Sequence, residues 1–210
     1  MKKIIIIGAG AMGSAFAVPC LENKNDVTLV GTHLEDELIK DIKSNNNFHP
    51  ALNTELPTKL KVEKFEKLSS ILEGGVDIIV AGISSIGIEW FVEQISKYYK
   101  EKLPIVLLTK GLAIDENELI TLSDKIKKLL KEKSHTEVNV SAIKGPCLAA
   151  GLAYKMRTGT VIANPDIKET ELLKKIISTD YYSTEISDDL IGVELSGAIK
   201  NIYSMLIGAS

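Results

Sequence analysis

The sequence has 210 residues, 45% hydrophobic and 25% charged, with 25 basic against 28 acidic side chains and a net charge of −3. At roughly 150 residues per domain this is one large domain, or one domain and the start of another; the composition excludes a mainly disordered chain, and no basic excess exists to hold nucleic acid or an anionic membrane. Two cysteines, Cys20 and Cys147, are too few for a disulfide framework and form no CxxC pair, which favours a reducing compartment and gives no signal for a metal site.

Lys2 and Lys3 precede an uncharged stretch reaching Leu21, the outline of a secretory signal. Gly8, Gly10, Gly13 and Ser14 interrupt it after four isoleucines, too short an apolar block for that purpose. No other stretch approaches the ~20 apolar residues of a membrane span, so a cytoplasmic protein is expected. Along the chain, short aliphatic runs predict strands over 3–7, 27–30, 77–81, 105–109, 138–142 and 160–163, with a weaker one over 182–186. Amphipathic stretches between them predict helices over 12–21, 35–43, 88–98, 118–131 and 168–177. In the fourth helix Leu119, Leu122, Ile126, Leu129 and Leu130 form one face, and the lysines at 125, 127, 128, 131 and 133 form its solvated side.

The first strand runs into Gly8-Ala9-Gly10-Ala11-Met12-Gly13, a GxGxxG sequence between a strand and a helix start. Gly8 permits the tight turn, Gly10 allows close backbone approach to a pyrophosphate, and Gly13 lets the helix pack on the strand, while the helix N-terminus offers free N–H groups. With the alternating elements this predicts an α/β Rossmann-type doubly wound, mostly parallel sheet that binds a dinucleotide. The second strand ends at Gly31-Thr32-His33 without a carboxylate at its tip, which leans to NADP; Glu35 and Asp36 lie just beyond and can still reach a ribose. The cofactor is therefore read as NAD or NADP.

Ligands of such sheets bind outside the carboxyl ends of strands. Three places present polar and small residues there: Lys110-Gly111, Lys144-Gly145-Pro146-Cys147, and Gly82 with Ser84-Ser85. After Ser187 a nearly uncharged helical stretch runs from Leu190 to the last residue, with Glu194 and Lys200 as its only charges. It reads as the first helix of an all-helical second domain that is cut off, giving domains over 1–187 and 188–210. An ammonium at Lys200 in such a helix must be paired, neutralised or turned to a ligand. Helical spacing puts Ser196, Lys200 and Tyr203 on one face and Glu194 and Asn201 on another.

Together these blocks resemble the NAD(P)-dependent glycerol-3-phosphate dehydrogenases: 8–13, then Val30-Gly31-Thr32, Thr109-Lys110-Gly111-Leu112, Gly145-Pro146-Cys147-Leu148-Ala149, and the run 193–201 ending in Lys200-Asn201. The resemblance implies hydride transfer between NAD(P)H and dihydroxyacetone phosphate, giving sn-glycerol 3-phosphate for phospholipid synthesis. By the same resemblance Lys200 is the general acid/base and Lys110 touches both nicotinamide and substrate. Gly145, Cys147 and Asn201 match substrate positions, and Ala11, Met12, Thr32 and Ala149 match cofactor positions; a full-length homodimer is compatible with it. Cys147 and Lys144 depart from the family, which usually has hydroxyl residues there. Lys144 is expected either to add charge near the substrate phosphate or to be solvated. The residues that would bind that phosphate lie beyond Ser210. Two other readings are a different GxGxxG reductase, such as a ketopantoate or pyrroline-5-carboxylate reductase, and a cofactor-binding fragment without turnover.

Overall fold

Ile4, Ile5, Ile6 and Ile7 are all buried because their strand is central to a sheet covered on both faces, so alternate side chains enter two different cores. The computed structural model describes residues 1–100 and 102–208. The first half runs β1 (Lys3–Ile7), α1 (Ala11–Glu22), β2 (Asp26–Val30), α2 (Asp36–Ser44), β3 (Phe48–His49), β4 (Thr54–Glu55), β5 (Lys61–Glu63), α3 (Leu68–Glu73), β6 (Ile78–Ala81) and α4 (Ile88–Ile95). The second runs β7 (Ile105–Leu107), β8 (Leu112–Asp115), β9 (Glu118–Thr121), α5 (Leu122–Ser134), β10 (Val140–Lys144), α6 (Ala149–Ala153), β11 (Thr158–Ala163), α7 (Ile167–Ile177), β12 (Tyr182–Ser187) and α8 (Leu190–Gly208).

Eight strands form the main sheet in the order β12-β11-β10-β7-β6-β1-β2-β5. Every pairing is parallel except β10 with β11, where Ile143 faces Ile162 in antiparallel register. The expected doubly wound, mostly parallel sheet is what forms. Ile4 and Ile6 pack with Phe16 and Cys20 of α1 and Ile39 and Ile42 of α2. Ile5 and Ile7 pack on the other face with Leu68, Phe91, Val92, Ile126 and Leu130. The order reverses direction between β1 and β6, which leaves a crevice at their carboxyl ends where ligands of this fold bind.

Two expectations need correction. The helix expected over 118–131 begins only at Leu122, because Glu118–Thr121 is spent on a hairpin with β8. Glu116 and Asn117, both at positive φ, make its turn, and Leu119 is exposed opposite Ile114 instead of joining the helix face. The helix proper starts where Thr121 Oγ1 accepts the Asp124 N–H at 3.1 Å, and its lysines are solvated as expected, with Lys125 and Lys128 paired to Glu89 and Asp115. Second, the strand expected over 138–142 lies at Val140–Lys144, so Lys144 ends a strand instead of starting a loop. The nearly uncharged helix α8 is covered on one side only. Leu190, Val193 and Glu194 turn inward onto β10 and β11, whereas Ile191, Leu195, Met205 and Ile207 are exposed. Ser210 and the side chains of Asn201 and Tyr203 lie outside the described residues, and no described helix is long and apolar enough to cross a membrane.

Candidate active site

The glycine loop joins β1 to α1, and its three glycines are required for different reasons. Gly8 has φ +107°, and a Cβ there would stand 2.5 Å from the Gly82 carbonyl oxygen; one on Gly13 would stand 2.2 Å from the Gly8 oxygen. Both are fixed by protein packing. Gly10 is not: a Cβ on it meets only Glu35 Oε1, at 3.9 Å, so its bareness leaves room for something outside the protein. Gly10 is also the N-cap of α1, with no side chain capping the helix and no acid in its first turn. Half-buried Ala11 and Met12 follow it. A bare, uncapped helix start beside an open glycine fits a pyrophosphate.

The loop is held by side chains that the linear sequence does not associate with it. Ser14 Oγ donates to the Ala9 carbonyl at 3.0 Å, and fully buried His49 of β3 has Nε2 2.9 Å from the same oxygen. Glu35, at the N-cap of α2, folds back so that Oε2 accepts the N–H groups of Ala9 (3.0 Å) and Thr32 (2.7 Å). A carboxylate therefore stands at the end of β2 after all, supplied from three residues past Thr32. This opposes the lean to NADP, since a carboxylate there repels a 2′-phosphate. Beside it the exposed His33 ring lies 5.1 Å from Trp90 and 6.2 Å from Phe65, forming an aromatic wall at the outer end of the crevice.

The other end of the crevice is a corner of lysines. β7 ends at Leu107 and delivers Lys110 beside Gly111, whose φ of +131° turns the chain away into the β8–β9 hairpin. Met12, Gly82, Ser84, Ser85, Thr109 and Lys110 line a groove of about 400 Å³, so two of the three sequence-marked places share it with the glycine-loop helix. A second cavity of about 480 Å³ is lined by Lys144, Gly145, Pro146, Ser196, Gly197 and Lys200, where α8 crosses β10. Lys110 and Lys200 approach each other between the two. Although the Lys110 side chain as a whole is exposed, partial burial of its ammonium and then the neighbouring Lys200 charge hold it below the ordinary lysine range.

Lys200 itself is on the exposed side of α8, so the expected desolvation of this residue is not met. The buried lysine is Lys144, which is 4% exposed and donates from Nζ to the carbonyls of Leu107 (3.1 Å) and Thr109 (2.7 Å). It is neither solvated nor free for a phosphate. Burial pushes it down to about 8, against the opposing pull of Glu194 and with added repulsion from Lys110. Glu194 is wholly buried and accepts the N–H (3.2 Å) and hydroxyl of Ser123. Gly145 passes close over β11, where a Cβ would meet Thr160 Cα at 2.8 Å. Cys147 is buried, its thiol raised by desolvation, which fits a small apolar filler and not a thiolate. Ala149 opens α6, which packs on α1.

Residues 3–170 match the family model described as the NAD-dependent glycerol-3-phosphate dehydrogenase N-terminus. The chain belongs to the glycerol-3-phosphate dehydrogenase family. It is 34% identical to the NADP(+)-dependent glycerol-3-phosphate dehydrogenase of Archaeoglobus fulgidus over 97% of this chain and 59% of that protein. To the glycerol-3-phosphate dehydrogenase [NAD(P)+] of Mesoplasma florum it is 32% identical, again over 97% of this chain and 59% of the relative. The crystal structure of the Coxiella burnetii glycerol-3-phosphate dehydrogenase superposes with a TM-score of 0.80 at 24% identity, covering 97% of this chain and 59% of that one, a likeness of fold. The chain thus spans about three fifths of the length of these dehydrogenase relatives. NAD or NADP as cofactor agrees with their names.

Proposed function

We propose that this chain is the cofactor-binding part of an enzyme that reduces dihydroxyacetone phosphate to sn-glycerol 3-phosphate with NADH or NADPH, feeding phospholipid synthesis in the cytoplasm. The observation that carries the reading is the approach of Lys110 and Lys200, from separate elements, at the same end of the crevice as the glycine-loop helix. Residues 1–187 form the cofactor domain and 188–210 begin the substrate domain. Gly8, Gly10 and Gly13, with the backbone of Ala11 and Met12, hold the pyrophosphate. Thr32 lies at the ribose and Ala149 on the cofactor side. When bound, the nicotinamide supplies the hydride that reduces the ketone.

The remaining chemistry belongs to side chains. Reduction of a ketone places negative charge on its oxygen and then requires one proton there. Lys110 stabilises that charge. Lys200, reachable from solvent, delivers the proton to the C2 oxygen and recovers it from water. In the reverse direction it takes the proton back. Burial and then repulsion from the Lys200 ammonium weaken the hold of Lys110 on its proton. Gly145 and Cys147 stand on the substrate side, and Asn201 keeps the substrate role that the family resemblance implies.

The test uses a version extended to the length of the dehydrogenase relatives. NAD(P)H oxidation with dihydroxyacetone phosphate is expected, and oxidation only with ketopantoate refutes the reading. In that version Lys200→Ala lowers kcat by about 10³ while the Kd for NADH stays within about twofold. Normal turnover by the variant removes Lys200 from its role.

A further inference from the structure

The two elements that carry Lys110 and Lys200 meet on a third lysine. The stem of Lys144 lies directly under α8: a Cβ on Gly197 would stand 3.0 Å from its Cδ and 3.1 Å from its Cγ. Its Nζ meanwhile binds the Leu107 and Thr109 carbonyls, at the very end of β7 and immediately before Lys110. Its own carbonyl accepts the Thr160 hydroxyl at 2.7 Å, which fixes the root of the side chain on the sheet. A methionine fills nearly the same volume without the desolvation cost of a buried ammonium, so packing alone does not call for lysine here.

We propose that Lys144 is a positioning residue for the lysine corner: by tying the Leu107 and Thr109 carbonyls to the underside of α8 at Gly197, it sets how closely Lys110 meets Lys200. This rests on the two-lysine reading above and deepens it. The titratable groups facing Lys144 are Glu194 from α8 and Lys110 from the end of β7. Those facing Lys110 are Lys200 from α8 and Cys147 after β10. Loss of the Lys144 side chain therefore relieves repulsion on Lys110 by releasing the end of β7, and Lys110 with it, from Lys200.

The experiment is Lys144→Met, read in two ways. In the extended version kcat with dihydroxyacetone phosphate falls about tenfold while the KM for NADH, set across the crevice at Gly10, stays within about twofold. In the 210-residue chain, Lys110 is labelled by reductive ¹³C-methylation, assigned with Lys110→Arg, and titrated by NMR; its midpoint moves to higher pH in the variant. A folded variant with unchanged kcat, or with a Lys110 midpoint that does not move, overturns the proposal. Lys144→Leu, which likewise donates to neither carbonyl, replaces the methionine variant under the same criteria if the latter does not fold. The titration needs no turnover. If the extended version does not reduce dihydroxyacetone phosphate, the functional reading fails and the titration alone decides whether Lys144 sets the position of Lys110.

Discussion

The glycine loop and the lysine corner line one crevice, yet they are built by different means. The loop takes its three glycines from one stretch of sequence, and backbone contacts too close for any side chain fix two of them, 2.5 Å at Gly8 and 2.2 Å at Gly13, while Ser14, Glu35 and His49 brace the turn. The corner draws on residues 107–110, 123, 144 and 194–200, and side-chain bonds hold it together. A backbone site tolerates little substitution but needs few partners, whereas a side-chain site depends on each buried charge being matched. This division suits the proposed reduction. Binding a diphosphate requires fixed N–H groups, and proton transfer requires ammonium groups whose charge is tuned by what surrounds them.

The comparison is sharpened first at the loop. Gly10→Val is expected to weaken NADH binding by more than about 100-fold, measured by calorimetric titration, with little loss of stability because open space surrounds the position. Gly13→Ala behaves oppositely, costing about 3 kcal/mol in urea unfolding, since its methyl must displace the Gly8 backbone. If both variants lost stability equally, the division of the loop into a packing part and a ligand part would break.

A second effect, at the corner, appears as a pH dependence. Lys144 falls from an ordinary lysine value in the unfolded chain to about 8 in the folded one. Between about pH 8 and 10.5 the unfolded chain therefore holds the extra proton, so this residue makes stability rise with pH there, by at most about 1.4 kcal/mol per unit. Below that window its burial is a standing cost. In urea unfolding the natural chain should gain stability relative to Lys144→Met as pH rises across this range, and parallel curves would contradict it.

The smallest effect is at the loop's one charged support. Glu35→Gln removes a negative charge beside Gly10 while keeping acceptors for the Ala9 and Thr32 N–H groups, and should improve NADPH affinity relative to NADH by about fivefold. An unchanged ratio would place Glu35 as a purely structural brace.

Much of this molecule is written in local patterns. Aliphatic runs marked the central strands, the GxGxxG spacing marked the tight turn from β1 into α1, and small residues beside lysines marked where the crevice would be lined. These signals survive in the linear sequence because strand burial, tight turns and helix starts are decided by residues within a few positions of each other. The failures came where a local pattern had two solutions. Leu119 suits a helix face by spacing, but Glu116 and Asn117 accept positive φ and turn that segment into a hairpin.

The state of each charge, by contrast, follows from the folded arrangement. By sequence Lys200 looked like the buried ammonium, being set among apolar residues, and Lys144 looked like a loop lysine. A two-residue shift in β10 and the rotation of α8 about its axis reversed this, burying Lys144 and exposing Lys200. Glu35 likewise reached the glycine loop by folding back across a helix start. Burial and pairing are properties of neighbours distant in the chain, so a sequence can place a lysine at a site while the fold determines what that lysine can do.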